Sequence, residues 1–150
     1  MKMKAKLFNS PFEMSLRIIL LLESAPDMTF SEDRIIGLDF ISCYATDFGL
    51  PFANLHGDNG YRYGEIVGRR ILVQEAVKSL VTQGLIDVTV DCGYRFVIST
   101  AGISYAKRLE TDYAREYKAI AKAAIIKYKD NTDTGILATI QTLAVNALRG

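Results

Sequence analysis

Residues 64–98 read GEIVGRRILVQEAVKSLVTQGLIDVTVDCGYRFVI, and the change of period inside this stretch decides the fold. Gly64 to Gln83 has helical spacing, with Ile66, Val67, Val73, Val77 and Leu80 as core contacts. Glu65, Arg69, Arg70, Gln74 and Lys78 spread over the polar side. Gly84 follows, the residue type best suited to close a helix in the left-handed conformation. The period then becomes two. Ile86, Val88 and Val90 alternate with polar neighbours, Asp91-Cys92-Gly93 makes a tight turn, and Tyr94 to Ile98 returns as a second strand.

Working outward, Ser10-Pro11-Phe12-Glu13 is a helix start: Ser10 caps, Pro11 takes the first helical position and Glu13 completes a capping box. This first helix runs through Arg17 and Ile18–Leu22 to about Ser24, where Ala25-Pro26-Asp27 breaks it. Its apolar residues cover more than one stripe, so it is expected to be buried on two sides. Met28-Thr29-Phe30 reads as short and extended. Ser31-Glu32-Asp33 opens a second helix, closed by Asp47-Phe48-Gly49-Leu50-Pro51. Residues 52–62 read as a loop. Beyond the hairpin, Ser99-Thr100-Ala101 opens a helix with no evident stop until about Asp130, roughly 45 Å long. A last helix covers about Thr132 to Leu148 and carries no charge from Thr134 onward. Gly37 and Gly68 each weaken their helices by roughly 1 kcal/mol relative to alanine, which suggests close approach of another backbone.

The order predicts a mainly helical α+β protein with a winged helix-turn-helix core, a two-stranded wing and two C-terminal helices. Residues 1–100 form the winged-helix core. Residues 101–150 supply a long basic helix and an apolar terminal helix, packed on the core or on a partner. The third helix is then the candidate recognition helix and Asp91–Gly93 the wing tip.

Composition sets the limits. The chain has 150 residues, 49% hydrophobic and 23% charged, the balance of one soluble globular domain and not of a disordered segment. The net charge of +1 hides a segregation along the sequence. Residues 1–6 carry three lysines, residues 11–60 two arginines against eight acids, and residues 101–129 seven basic residues against three acids. Such a division suggests faces of opposite sign. The most apolar run, Ile18 to Leu22, is far below the roughly 18 residues a membrane span needs. Cys43 and Cys92 have no zinc or redox-pair spacing, which points to two thiols in a reducing cytoplasm.

The supply of catalytic groups is thin. His56, the one histidine, lies near Asp58 in a Gly/Asn/Asp loop without a Cys or Ser motif, so a solvated loop histidine is expected. Asp58-x-Gly60 lacks the repeated acids of a calcium loop. Gly57, Gly60, Gly64 and Gly68 match neither a Walker loop nor a dinucleotide fingerprint. No catalysis, metal or cofactor is expected.

Contacts are better supplied. Arg62, Arg69, Arg70 and Lys78 surround or lie on the third helix and Arg95 lies on the wing, where they could meet phosphate or an acidic partner. Against sequence-specific DNA reading stand the apolar character of that helix, Glu65 and Glu75 on its polar face, and Asp91 at the wing tip. The terminal helix, with Ile136, Leu137, Ile140, Leu143 and Leu148 apolar, must bury against something. It either folds back on the preceding helix as a hairpin or docks on another chain.

Several stretches together resemble the middle components of bacterial ABC-three-component systems. These are Phe8-Asn9-Ser10-Pro11-Phe12-Glu13 leading into Leu16-Arg17, Asp47-Phe48-Gly49-x-Pro51, Gly64-Glu65-Ile66-Val67-Gly68-Arg69-Arg70, Leu80-Val81-x-x-Gly84-Leu85-Ile86 and Tyr94-Arg95-Phe96. The resemblance covers about residues 7–128 and leaves out the last helix. It implies a small non-catalytic subunit that couples a DNA-sensing SMC-like ATPase to an effector, often a nuclease. Lamassu-type defence systems against phage and plasmids have this composition. Double-stranded DNA would then be met indirectly or by non-specific contact. Ser10, Pro11, Glu13, Asp47, Gly49, Pro51 and Gly84 take structural roles under this reading. Arg69 and Arg70, without an evident local need, are the expected contacts for an acidic partner or a phosphate. The other reading of the same elements is a free-standing winged-helix transcription regulator, dimerising through its two C-terminal helices.

Overall fold

Ser10 opens helix α1 (Pro11–Glu23) by accepting the Glu13 N–H at 3.1 Å, with Pro11 at the start where its missing donor costs nothing. Ser31 repeats the device for α2 (Glu32–Cys43), accepting from the Arg34 N–H at 3.0 Å. The computed structural model describes residues 10–57 and 62–149. The lysines of residues 1–6, Phe8, Asn9, Asp58 and Gly60 lie outside the described residues.

Every residue of α2 from Ile35 to Cys43 is buried, and α1 is buried continuously from Arg17 to Leu22. Helices apolar all round belong in an interior. Here α1 packs against α2, α3, α4 and α5, and α2 lies against α1, α3, α5 and α6. The two-sided burial expected of α1 is observed. After α2 the chain makes a short 3-10 turn (Ala45–Phe48) that Gly49 ends at φ +72°. A second 3-10 turn (Arg62–Gly64) leads into α3 (Glu65–Thr82), which stops before Gly84 at φ +74°. Residues 44–64 therefore separate α2 from α3, far more than the 3–4 residues of a tight helix-turn-helix.

Strands β1 (Ile86–Val90) and β2 (Tyr94–Ile98) pair antiparallel, from Ile86 opposite Ile98 to Val90 opposite Tyr94. The extended reading of Met28-Thr29-Phe30 narrows to one residue. Phe30 exchanges two 2.8 Å backbone hydrogen bonds with Phe96 on the outer side of β2.

The continuous helix expected over about 101–130 is instead two, α4 (Thr100–Lys107) and α5 (Asp112–Tyr128). Thr111 is the reason. Its hydroxyl accepts the Ala114 N–H at 3.1 Å and Asp112 sits in the first turn, a complete start signal inside a sequence with unbroken helical spacing. The terminal helix α6 (Asp133–Arg149) makes its principal packing across α2, not as a hairpin on α5. Arg34 of α2 fixes the α5–α6 turn through Asp133 at 2.7 Å and the carbonyls of Tyr128 and Asn131. Gly37 lets the helices touch, since a Cβ there would lie 2.6 Å from Ile136 Cγ2. A close approach is thus present at Gly37, though to a side chain and not to the backbone expected. At Gly68 it is not, because nothing lies within 4 Å of the Cβ position.

Candidate interaction surface

The ionic chemistry is concentrated in the core. Asp39, at the centre of α2, receives Arg17 Nε at 2.9 Å and Nη2 at 3.2 Å, Arg69 Nε at 2.9 Å and the Tyr117 hydroxyl at 2.7 Å. These donors come from α1, α3 and α5, so one carboxylate joins four helices. Burial alone would push the Asp39 carboxyl up. The Arg17 and Arg69 guanidinium groups override it and hold the group well below the usual carboxylate range. Cys43, a turn away at 4.0 Å, is pushed up to about 12 by burial and by Asp39's charge, which keeps it an unreactive thiol.

A second polar layer lies above this cluster. His56 Nε2 sits 2.9 Å from the Tyr113 hydroxyl, its ring stacked on Tyr113 and edge-on to Tyr44. Tyr113 stacks in turn on Tyr117. His56 is half-buried and not the solvated loop residue expected. Burial, helped by the Arg17 charge, pushes it down to about 3, so it is neutral. No group of three or more His, Cys, Asp or Glu positioned to hold a metal occurs among the described residues.

The residues expected to meet phosphate or a partner fall into two sets. Arg69 is 2% exposed and gives its donors to Asp39 and Glu65, with Phe40 beneath the guanidinium. It is a core cation, and the expectation that it lacks a local partner is corrected. Arg70 has local partners too, Glu32 at 2.8 Å and Asp33 at 2.7 Å. Arg62 bonds Asp47 at 2.5 Å and packs on Tyr63. Arg95 donates to the Thr29 carbonyl and hydroxyl. Lys78 is the one of the five that is neither buried nor half-buried, and it has no ion pair among the described residues. The terminal helix divides similarly. Ile136 and Ile140 are buried in the core, Leu137 and Leu143 are partly buried against it, and Leu148 is 90% exposed.

These pairings revise the charge picture. Acids of the front half meet bases elsewhere: Glu23 with Lys118, Glu32 and Asp33 with Arg70, Asp39 with Arg69, and Asp47 with Arg62. Of the basic residues in 101–129 only Lys118 is among these pairs, and Lys107, Arg108, Lys122 and Lys129 stay exposed. Beside these exposed cations the surface offers apolar side chains: Val67 and Ile71 on α3, Val88, Val90 and Tyr94 on the hairpin, Val145 and Leu148 on α6.

Sequence reasoning missed the Asp39 cluster, although a signal was present. Arg17 is the only charge between Glu13 and Glu23, and Asp39 the only one between Arg34 and Asp47, each within an otherwise apolar helix. A lone charge in such a helix is buried and must find its opposite.

No helix among the described residues is long and apolar enough to cross a membrane. No curated protein and no solved structure matches the chain. A family match does exist, and it extends through the terminal helix that the motif resemblance had left out. Over residues 7–149 the sequence matches the ABC-three component (ABC-3C) system Middle Component 2 family, and the chain belongs to that family.

Proposed function

We propose that this protein is a non-catalytic adaptor, the middle subunit of a bacterial defence complex directed at phage or plasmids. It couples a DNA-sensing SMC-like ATPase to an effector, a nuclease in the Lamassu-type arrangement. Its fold is read as a winged helix, with α1–α3 as the helical trio, β1 and β2 as the wing and the Phe30 bridge as the remnant of a third strand. Membership of a middle-component family implies protein partners.

The observation that carries the adaptor reading is how the cations are used. Arg62, Arg69 and Arg70 neutralise acids of the same chain, and Arg95 is bound to Thr29. Apolar side chains stand exposed where a DNA reader would present basic and polar ones. The His56 layer and the Asp39 cluster supply rigidity, with every member engaged by a neighbour, and no reaction is assigned to them.

A shift assay on operator-length and random duplexes over a salt series tests this against the regulator reading. The adaptor gives absent or weak binding that salt abolishes equally on both duplexes. Sequence-selective binding by the isolated protein would overturn it.

A further inference from the structure

The hairpin leaves one edge of the sheet open. Strand β2 is paired on both sides, to β1 through the ladder and to Phe30 through Phe96. Because Phe96 directs its N–H and C=O at Phe30, its opposite number Val88 occupies a non-hydrogen-bonded pair and turns both of its own backbone groups outward. Alternation gives Val90 the same orientation. No strand lies on that side of β1 among the described residues.

Side chains mark the same edge independently. Ile86, Phe96 and Ile98 are buried, and the face they share continues into solvent as Val88, Val90 and Tyr94. With Val77 and Val81 of α3, Val88 and Tyr94 line a groove of about 510 Å³. The other face of β1 is acidic. Asp87, and Asp91 just beyond the strand, are exposed and in no ion pair among the described residues, and Arg95, on the neighbouring strand, is turned to Thr29.

We propose that the free edge of β1 takes an extended segment of a partner protein as an added strand. In that segment apolar residues beside Val88 and Val90 alternate with Lys or Arg beside Asp87 and Asp91. The acids disfavour nucleic acid at this edge. A helix laid in the groove would cover the Val88 and Val90 backbone groups without pairing them, whereas a strand pairs them. The proposal rests on the adaptor reading and gives it a surface and a ligand chemistry.

The test uses the full-length protein and a nine-residue synthetic peptide in which valine and lysine alternate, read by amide hydrogen exchange. Saturating peptide is expected to slow exchange at Val88 and Val90 about tenfold or more, while a peptide of the same composition with its valines and lysines in blocks does not. Val90→Pro removes an outward N–H that the β1–β2 ladder does not use, so the fold persists and peptide protection is lost. Equal protection by the blocked peptide, or binding indifferent to V90P, overturns the proposal. So does peptide binding that appears only after deletion of residues 1–9, because Lys2, Lys4 and Lys6 alternate with Met1, Met3 and Ala5 and the chain's own segment would then be the occupant. Complex formation by V90P that equals wild type overturns the strand site and leaves the adaptor reading intact. Failure of the wild type to join any complex removes the adaptor reading itself.

Discussion

Asp39 is the carboxylate on which side chains of three other helices converge. Replacing it by asparagine leaves Arg17 and Arg69 buried beside a neutral group, and the expected cost is about 3–5 kcal/mol in denaturant unfolding. Replacing Arg17, Asp39 and Arg69 together by Met, Leu and Met removes every buried charge of the cluster, and is expected to restore most of that loss. A triple variant as unstable as D39N would show that the cluster does more than balance charge. His56 titrates with the opposite chemistry and the same sign. Its folded value, about 3, lies below the ordinary 6.5, so the unfolded chain binds the extra proton between these values. Its contribution is fully present above pH 6.5 and declines as pH falls toward 3, by at most about 1.4 kcal/mol per unit. Thermal melts from pH 7 to 4 should show this slope, and His56→Gln should flatten it. The sequence makes Arg17 and Asp39 visible as isolated charges but not their pairing, since 22 residues separate them and only the packing of α1 on α2 brings them together. His56 was misread for a related reason: a polar loop gives no hint that Tyr44 and Tyr113 will close over it.

At the scale of elements, local signals were readable wherever they were uncontested. The change from helical to alternating period at Gly84, the Ser10 and Ser31 caps and the Asp91–Gly93 turn all placed their elements correctly. Thr111-Asp112 was overlooked because Leu109, Tyr113 and Tyr117 keep helical spacing across it, and periodicity outweighed a cap. Where α6 would lie was not legible at all, because an apolar stripe does not name its partner. The contact that fixes it is Gly37 against Ile136. Gly37→Ala should cost about 1–3 kcal/mol through overpacking, and pairing it with Ile136→Ala should cost less than the two changes added. Additive losses would mean that the helices do not touch there. Gly102 is stricter: a Cβ would stand 2.0 Å from the Leu85 carbonyl oxygen, and a backbone atom cannot swing aside. Gly102→Ala should therefore destabilise the α4–hairpin junction more than Gly37→Ala destabilises α6, as read by amide exchange in β1 and α4.

For the whole molecule, Arg62, Arg69 and Arg70 around α3 are engaged by acids of the same chain, while Lys107, Arg108, Lys122 and Lys129 at α4 and α5 stay exposed. The exposed apolar residues are a further feature available to partners. Leu148→Glu, at a side chain outside the core, should leave the unfolding free energy within about 0.5 kcal/mol of wild type and weaken assembly if α6 is a contact face. The central claim is that the protein works as a bound subunit. Its most direct test is affinity purification of the tagged full-length chain from cells expressing its whole operon, followed by gel filtration and identification of what co-elutes. Co-elution at fixed stoichiometry with an SMC-like ATPase is the predicted result. A free monomer, eluting apart from an ATPase present in the same lysate, would contradict it.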